Sequence, residues 1–424
     1  MLNDRGSAGQ LTSDQSLTEY ADRRKRLAGG AILENATPWF VPLDGLQASV
    51  RREGRTLTSF ANYDYLGLSD HPAIRDAAHS AVDRVGIGAL GSRIVGGERL
   101  IHAEFEDALA RFVGADACIT LVSGYLANVS TISHVMGNRD LILHDELIHN
   151  SIVCGIAGAK ATSVQFRHND MEQLEKLLKE RRSNHRNCLI VVESLYSMDG
   201  DITNLPELLD LKDRFGSWLL VDEAHSIGVL GRNGRGVSEH FGVDPRRIDI
   251  ITGTLSKTFV SCGGFVCAQK AVIEWMRYTL PGFVYSVGLP PVIAAVAHAA
   301  LTVLMAEPER TAKLQTNAQR FLRRAREANL ATGSAVGQGI VPVLFPDLTS
   351  TMEGSEFLLE NDIFAPPIVQ FGVPKELPRI RFFISSRHGT EDIDRAVKTL
   401  ETFFAARPAG VRPRATHALD ATPP

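Results

Sequence analysis

The stretch Ile248-Asp-Ile-Ile-Thr252-Gly-Thr-Leu-Ser-Lys257-Thr-Phe259 places a lysine shortly after a mostly apolar run. A short apolar run followed by glycine and small hydroxyl residues predicts a buried strand that ends in a turn. The reference pKa of a lysine amine is about 10.4, and burial or nearby positive charge lowers it. An amine with a lowered pKa can form a Schiff base with an aldehyde, so Lys257 is a candidate catalytic residue.

The hydroxyl groups around this lysine indicate which aldehyde it could bind. Thr254, Ser256 and Thr258 flank Lys257 and can hydrogen-bond a phosphate. An aldehyde and a phosphate on one small molecule point to pyridoxal 5'-phosphate (PLP), whose lysine imine usually comes with an acidic partner for the ring nitrogen. A lysine on a turn is also a common solvated residue, so this interpretation depends on the rest of the chain.

Composition excludes several classes of protein. The chain has 424 residues, of which 44% are hydrophobic and 22% charged, as in a globular protein with a large core. Its net charge is −4, and the basic cluster Arg23–Arg26 is too short to predict a nucleic acid or anionic lipid partner. The five cysteines lack metal-ligand spacing, and the polar N-terminus has no apolar run of the kind typical of a signal peptide, so none is expected. We therefore expect a cytoplasmic protein with reduced thiols, no metal and no transmembrane segment.

Strand-like apolar runs and helical patterns alternate from about Ile119 to Val266. This alternation predicts an α/β fold with a mainly parallel sheet that is covered by helices on both faces. Ligands of such sheets bind beyond the carboxyl ends of the strands. Five polar segments follow predicted strands: Ser123-Gly124, His149, Ser194–Asp199, Asp222-Glu-Ala-His225 and Lys257. We expect these segments to form a single site.

Residue types in these segments suit a pyridine ring. Asp222, at a strand end, can pair with a ring nitrogen, and His225 can reach a ring hydroxyl. His149 can stack on the ring, and Gly124 with Tyr125 opens a helix whose free amides suit a phosphate. Taken singly, such residues are more often helix caps, core histidines or surface carboxylates.

The remaining sequence predicts the domain organisation. Residues 1–60 are expected to form an N-terminal arm, residues 61–295 a large cofactor-binding domain and residues 296–406 a smaller α+β domain. Residues 407–424, rich in proline and alanine, are expected to be disordered. Within the large domain, Asn169 with Glu172 three residues on is expected to cap the helix that runs through Leu178.

The motifs Asp222-Glu-Ala-His225 and Thr254-Leu-Ser-Lys257, with a glycine-rich segment between them, resemble the α-oxoamine synthase family of fold-type I PLP-dependent enzymes. The match covers about Tyr63 to Leu400. Further matching motifs are Tyr65-Leu-Gly-Leu68, Gly91-Ser-Arg93, Gly97 with His102, Ser123-Gly-Tyr125 with Asn128, Ser197-Met-Asp-Gly-Asp201, and Arg381 with His388. The resemblance implies a large domain with a mainly parallel seven-stranded sheet and a smaller C-terminal α+β domain.

The resemblance also implies roles for individual residues. Lys257 and His149 would be catalytic, Lys257 as the Schiff-base lysine and His149 stacked on the ring. The cofactor-binding residues would be Gly124, Tyr125, His149, Ser197, Asp222, His225, Thr254, Lys257 and, from a neighbouring subunit of a homodimer, Ser286. Arg381 would bind the carboxylate of an amino acid. Tyr63, at a position where asparagine is frequent, is a further substrate-binding candidate.

The implied reaction is a decarboxylative condensation of a small amino acid with an acyl thioester of coenzyme A or acyl carrier protein. Alanine and serine are the leading amino acids, with glycine third. Ala365-Pro-Pro367 lacks the arginine common before this proline pair in family members that use a pimeloyl group, so the acyl group stays open. An aminotransferase and a non-catalytic subunit are alternatives. The loop Gly91–Arg93 argues against the first, and Lys257 argues against the second.

Overall fold

A computed structural model describes residues 16–27, 39–45, 48–368 and 378–407. The chain divides into two compact units, Met1–Pro42 and Leu43–Pro424. In the first unit, the basic cluster lies on the helix Leu17–Leu27, named α1 below. The predicted disordered tail lies outside the described residues apart from Arg407, and the predicted boundaries near residues 60 and 295 stay predictions.

The described strands and helices alternate through the middle of the chain. The strands are β1 (Ser49–Arg52), β2 (Arg55–Ser59), β3 (Ala117–Leu121), β4 (Leu141–Asp145), β5 (Thr162–Phe166), β6 (Cys188–Glu193), β7 (Trp218–Asp222), β8 (Ile250–Thr254), β9 (Gly264–Ala268), β10 (Ile340–Leu344), β11 (Ile363–Phe364), β12 (Pro367–Ile368) and β13 (Arg379–Phe383). The helices are α1 (Leu17–Leu27), α2 (Pro72–Val85), α3 (Leu100–Val113), α4 (Gly124–Val135), α5 (Asn150–Ala159), α6 (Met171–Arg181), α7 (Leu205–Phe215), α8 (Val237–Phe241), α9 (Lys270–Thr279), α10 (Pro281–Val284), α11 (Pro291–Ala306), α12 (Glu309–Glu327), α13 (Leu348–Glu360) and α14 (Thr390–Ala405).

The large sheet has seven strands in the order β3-β9-β8-β7-β6-β4-β5. Strand β9 runs antiparallel to both β3 and β8, and the other neighbouring pairs are parallel, which confirms a mainly parallel sheet. Glu193 at the end of β6 is in register with Asp222, and Asp222 is in register with Thr252 of β8. The carboxyl ends of β6, β7 and β8 therefore lie side by side.

Both faces of this sheet are buried, as its continuous apolar strands predict. Along β6, Leu189 and Val191 belong to one hydrophobic cluster and Ile190 and Val192 to another. Successive side chains of a strand point to opposite faces, so one strand contributes to both clusters. This two-sided packing makes the central strands a rigid base for the residues at their ends.

Two small sheets accompany the large one. The first has the order β1-β2-β11, and the second has the order β10-β13-β12 with antiparallel pairing. Strand β13 carries Arg379 and Arg381. Arg379 Nη1 donates to the Met198 carbonyl at 2.9 Å and to the Asp199 carboxylate at 2.7 Å. These bonds tie the second small sheet to the loop after β6.

The predicted cap of α6 is wrong. Asp170 is the N-cap residue, because its Oδ1 accepts a hydrogen bond from the Gln173 amide at 2.8 Å. Asn169 instead has a φ of 53°, in the left-handed region that asparagine tolerates. Its side-chain amide donates to the Ile202 carbonyl at 3.3 Å.

Among the described helices, no single one is long and apolar enough to cross a membrane. Helices α11 and α12 meet that test only as a pair, and the pair is bent by 80°.

Candidate active site

Lys257 lies in the turn after β8, with its amine against an imidazole. Its Nζ atom is 2.8 Å from Nε2 of His225 and 5.5 Å from the centre of the Tyr63 ring. Loss of water around the amine lowers the pKa of Lys257 to about 8, although the Asp222 and Glu193 carboxyl groups act in the opposite direction. A useful fraction of the amine is therefore unprotonated near neutral pH.

His225 is buried and connects this amine to a tyrosine. Its Nδ1 lies 2.8 Å from the Tyr65 hydroxyl. Burial and the charges of Lys257 and Arg381 hold the pKa of His225 well below its usual value, so the ring is neutral. Burial raises the pKa of Tyr65 well above its usual value, so its hydroxyl keeps its proton. Tyr65, His225 and Lys257 thus form a hydrogen-bonded chain of groups.

Asp222 is buried at the end of β7 and is held by two donors. Its Oδ2 accepts from the Asn128 side-chain amide at 2.7 Å, and its Oδ1 accepts from the Ala224 backbone amide at 2.9 Å. Charge-assisted bonds of this kind stabilise an ionised carboxylate. Asp222 can therefore present negative charge to a ring nitrogen, which is the role that the resemblance implies for it.

His149 is the N-cap residue of α5. Its Nδ1 lies 2.8 Å from Ser151 Oγ and accepts from the Ser151 amide at 3.2 Å. Because Nδ1 is an acceptor, the ring proton of neutral His149 lies on Nε2. Burial lowers the pKa of His149, and Lys257 and Arg381 lower it further, while Asp222 opposes them.

The phosphate end predicted at Gly124 is tightly packed. Ser123 caps α4, with its Oγ accepting from the Leu126 amide at 3.0 Å. A Cβ atom at Gly124 would lie 2.8 Å from Thr254 Cβ, and one at Gly264 would lie 2.5 Å from the Gly124 Cα. Glycine therefore lets the start of α4 approach β8 and β9 closely, where its first amides lack intrahelical acceptors.

The hydroxyl groups around Lys257 have different surroundings. Thr254 Oγ1 donates to the Gly263 carbonyl at 3.1 Å and accepts from the Ser256 amide at 3.2 Å. Thr258 is buried and donates to the Ile227 carbonyl at 2.6 Å. Both threonine hydroxyl groups thus donate to backbone carbonyls, and phosphate binding by Thr254, Ser256 and Thr258 stays a prediction.

Arg381 lies next to Ser197, which is expected if both residues belong to the same site. Its Nη1 donates to the Ser197 carbonyl at 2.8 Å, and its guanidinium carbon lies 4.5 Å from the centre of the Phe383 ring. Among the described residues, no partner hydrogen-bonds its buried Nε. Burial lowers the pKa of the Arg381 guanidinium. A desolvated cation with a free donor is suited to bind an anion.

The predicted phosphate contacts of Tyr125 and Ser286 stay predictions. Tyr125 is exposed, its ring lies 6.4 Å from that of His149, and its hydroxyl donates to Asn150 Oδ1 at 3.0 Å, so its predicted role falls to its backbone amide. Ser286 lies in the loop between α10 and α11, and its predicted role requires a second copy of the chain. Tyr63 belongs to the cluster, with its ring 4.6 Å from that of Phe383.

Sequence reasoning assigned no role to three residues of the site. Tyr65 and Asn128 belong to quoted motifs, but their contacts with His225 and Asp222 follow from tertiary packing. Glu193 is buried beside Asp222, and burial raises its pKa to about 8. The sequence could have indicated Glu193, because it ends an apolar strand just as Asp222 does.

The arrangement fits the predicted PLP. An amine of lowered pKa, a fixed carboxylate and a glycine-lined helix start lie at adjoining strand ends. These groups match an aldehyde, a ring nitrogen and a phosphate, respectively. The described residues contain no group of three or more metal-ligating side chains, and the five cysteines are free thiols.

Comparisons with known proteins agree on one family. Residues 55–400 match the family described as aminotransferase class I and II. An 8-amino-7-oxononanoate synthase of Treponema denticola is 38% identical over 351 residues, which are 82% of this chain and 88% of that protein. A serine palmitoyltransferase of Sphingomonas wittichii has a TM-score of 0.86 and 30% identity, over 95% of this chain and all of that one.

A high-resolution structure of SPT with PLP internal aldimine has a TM-score of 0.84 and 29% identity, covering 91% of this chain and 96% of that chain. The predicted family and fold class are confirmed. The chain belongs to the aminotransferase class I and II family and, within it, to the α-oxoamine synthases of fold type I.

Proposed function

We propose that this chain is a PLP-dependent α-oxoamine synthase, which condenses a small amino acid with an acyl thioester. The observation that carries the proposal is the Lys257 amine, with a pKa of about 8, at the strand end next to Asp222. The relatives support it, since an 8-amino-7-oxononanoate synthase is 38% identical and the SPT structure contains PLP.

When bound, PLP supplies an aldehyde for an amine to attack and a ring that stabilises negative charge at the adjoining carbon. Lys257 would hold that aldehyde, and its free amine would be placed to take the α proton of the amino acid. Asp222 would pair with the ring nitrogen. His225 would contact the ring hydroxyl with Nε2, and Ser197 and Thr254 are further proposed contacts.

Arg381 is proposed to orient the amino acid. A guanidinium binds a carboxylate through two parallel hydrogen bonds, which fixes the direction of the α C–H bond relative to Lys257. Phe383 and Tyr63 pack around the guanidinium and the amine, and exclude water from them. His149 is proposed to stack on one face of the cofactor ring.

The overall reaction balances without a further reactant. The α carbon of the amino acid forms a bond with the acyl carbon, and the carbon–sulfur bond breaks to release a thiolate, which takes up a proton. The former carboxylate then leaves as carbon dioxide. Protonation at the α carbon and release of the amine give an α-aminoketone.

We propose alanine or serine as the amino acid, with glycine as a weaker candidate. Family members that use a pimeloyl group commonly have an arginine before this proline pair. Here Ala365 precedes the pair, is 2% exposed and contributes no charge. This supports an acyl group without a terminal carboxylate. Coenzyme A and acyl carrier protein are both retained as the thiol carrier.

We propose that the enzyme works as a homodimer in the cytoplasm. Leu90, Val95 and Tyr285 are apolar or aromatic and are 92%, 87% and 86% exposed. They lie on two segments of the chain that are joined by the hydrogen bond from the Gly288 amide to the Gly91 carbonyl at 2.9 Å. A second copy covering this surface would also bring Ser286 to the phosphate of its partner.

A substrate panel tests the proposed function. Purified enzyme with PLP is incubated with alanine, serine or glycine and with acyl thioesters of increasing length, on coenzyme A and on acyl carrier protein. We expect thiol and carbon dioxide in equal amounts. Release of a keto acid without thiol would instead identify an aminotransferase. Absence of PLP binding would favour the non-catalytic subunit.

A further inference from the structure

Asn128 is the central residue of a buried hydrogen-bond network beneath the site. It lies on α4, and its side chain is 3% exposed. Its Nδ2 donates to Asp222 Oδ2 at 2.7 Å and to Ser151 Oγ at 2.9 Å. Its Oδ1 accepts from the Thr252 hydroxyl at 2.7 Å. One amide therefore connects α4, α5, β7 and β8.

The chemistry of the partners determines which way this amide faces. An ionised carboxylate can only accept, so the nitrogen of Asn128 must face Asp222. The Thr252 hydroxyl then donates to the amide oxygen and holds the amide against rotation. Asp222 Oδ2, Ser151 Oγ and Thr252 Oγ1 each have a hydrogen-bond partner, as a buried polar network requires.

The orientation of the Asn128 amide also determines how Ser151 hydrogen-bonds His149. Ser151 Oγ accepts from Asn128, so its own hydrogen is free to reach His149 Nδ1 at 2.8 Å. The Ser151 amide also donates to Nδ1. Both donors require the tautomer that carries its proton on Nε2. The state of His149 is therefore linked through two side chains to the carboxylate of Asp222.

We propose that Asn128 is a positioning residue that couples the direction of the Asp222 carboxylate to the tautomer of His149. This inference rests on the proposed function, because Asp222 and His149 meet the same cofactor ring only if the chain binds PLP. Asp222 would then bind the ring nitrogen, while His149 would stack on the ring with its own proton on Nε2. Thr252 and Ser151 are the two hydroxyl residues that hydrogen-bond the same amide.

Four variants separate the branches of this network. Asn128→Ala removes the amide, and Asn128→Asp keeps its shape but replaces the donor toward Asp222 with an oxygen. Ser151→Ala removes only the His149 branch, and Thr252→Val removes only the hydroxyl that prevents rotation. Asn317→Ala is the matched control, since Asn317 is a buried asparagine that donates to the Ser385 and His388 carbonyls, both at 2.9 Å.

Two readouts are needed. The first is the dissociation constant of PLP, measured from its visible absorbance. Loss of a hydrogen bond to a buried charge predicts a ten- to hundredfold weaker constant for Asn128→Ala, to order of magnitude. Asn128→Asp should be at least as weak, and Thr252→Val intermediate. Asn317→Ala should lower thermal stability while leaving the constant within about threefold of wild type.

The second readout is the tautomer of His149 in cofactor-free protein, from nitrogen chemical shifts of labelled histidine, assigned with His149→Gln. Wild type should show the proton on Nε2. Ser151→Ala and Asn128→Ala both keep the donor from the Ser151 backbone amide to Nδ1, so each should leave the Nε2–H tautomer predominant with a measurably larger population of the other tautomer. Ser151→Ala should change PLP affinity less than Asn128→Ala does. If Asn128→Ala does not fold, Thr252→Val and Asn128→Asp carry the same comparison.

The outcomes distinguish this inference from the proposed function. If wild type binds PLP but Asn128→Ala binds it equally well and keeps the wild-type ratio of His149 tautomers, the inference is overturned and the function stands. If wild type does not bind PLP, the function fails. The tautomer measurement then still decides whether Asn128 controls His149.

Discussion

The amine of Lys257 lies 2.8 Å from Nε2 of His225, whose Nδ1 lies 2.8 Å from the Tyr65 hydroxyl. A protonated amine this close to an imidazole must donate to it, so the histidine proton is then on the Tyr65 side. Once the amine is attached to a carbonyl carbon, Nε2 becomes available to another partner.

Replacement of Lys257 by alanine should abolish both the visible absorbance of lysine-bound PLP and turnover. The reason is that alanine has no amine to attack the aldehyde. Lys257→Arg should also be inactive although it retains positive charge. Lys270→Ala, on the exposed side of α9, should behave as wild type in absorbance spectra and thiol-release assays. A wild-type spectrum of Lys257→Ala would refute the assignment of this lysine.

The rate at which cofactor-free protein captures PLP should rise with pH through about 8. The Lys257 ammonium is not nucleophilic, and burial lowers the pKa of its amine to about 8. Below that pH the group is protonated, and above it the free amine predominates. Stopped-flow absorbance between pH 6 and pH 10 gives the midpoint. A midpoint near that of a solvated lysine, about 10.4, would contradict the buried environment.

Arg381→Ala should raise the KM for the amino acid by about a hundredfold, the effect of losing a paired, charge-assisted contact. Arg381→Lys should recover little of this, because an ammonium cannot make the paired bonds. The KM for the acyl thioester should change far less. Steady-state kinetics with each substrate varied in turn measures both. Equal loss for both substrates would indicate collapse of the second small sheet instead.

Gly124→Ala should weaken PLP binding by about tenfold or more while binding of pyridoxal, which lacks the phosphate, changes little. The new Cβ would lie 2.8 Å from Thr254 Cβ, so the start of α4 must move away from β8. Gly137→Ala is the control, because its Cβ would meet Asp140 at an ordinary 3.8 Å. Absorbance titrations with both ligands test this. An equal loss for pyridoxal would place the phosphate elsewhere.

His168 joins the loops that carry His149 and Ser197. Its Nδ1 lies 3.0 Å from Asp145 Oδ1 and its Nε2 2.7 Å from Asp201 Oδ2. Hydrogen bonds and charge from these two carboxylates outweigh its burial and raise the pKa of His168 to about 10. The folded protein therefore binds a proton here that the unfolded chain, with a histidine pKa of about 6.5, releases at neutral pH.

Stability should consequently fall as pH rises from about 6.5 to 10, by up to about 1.4 kcal/mol per pH unit from this group. His168→Gln should lose that slope and be less stable at pH 7. His388 is the matched control. Its burial lowers its pKa to about 4, so its contribution is lost in acid, below about 6.5, and not in this range. Urea unfolding at several pH values measures the slopes, and a wild-type slope in His168→Gln would disprove the charged state.

Local patterns were sufficient for most elements of the fold. The apolar residues of α7, Leu205–Phe215, recur at helical spacing, and the apolar run of β10, Ile340–Leu344, has the length of a strand. Gly114 and Gly216 end their helices in the left-handed conformation, as their positions predict. Such signals depend on neighbouring residues alone. The cap at Asp170 was missed because two adjacent residues, Asn169 and Asp170, are both good capping types.

Residue order alone could identify the lysine, the acidic partner and the two histidines, because each follows a recognisable strand. It could not show that β9 enters the sheet antiparallel between β3 and β8. Nor could it show that Asn128 reaches Asp222, which is 94 positions away. These contacts depend on strand order and register, which local patterns leave undetermined. The protonation states of Lys257, His225 and His168 likewise came from packing, because burial and neighbouring charge act only once the chain has folded.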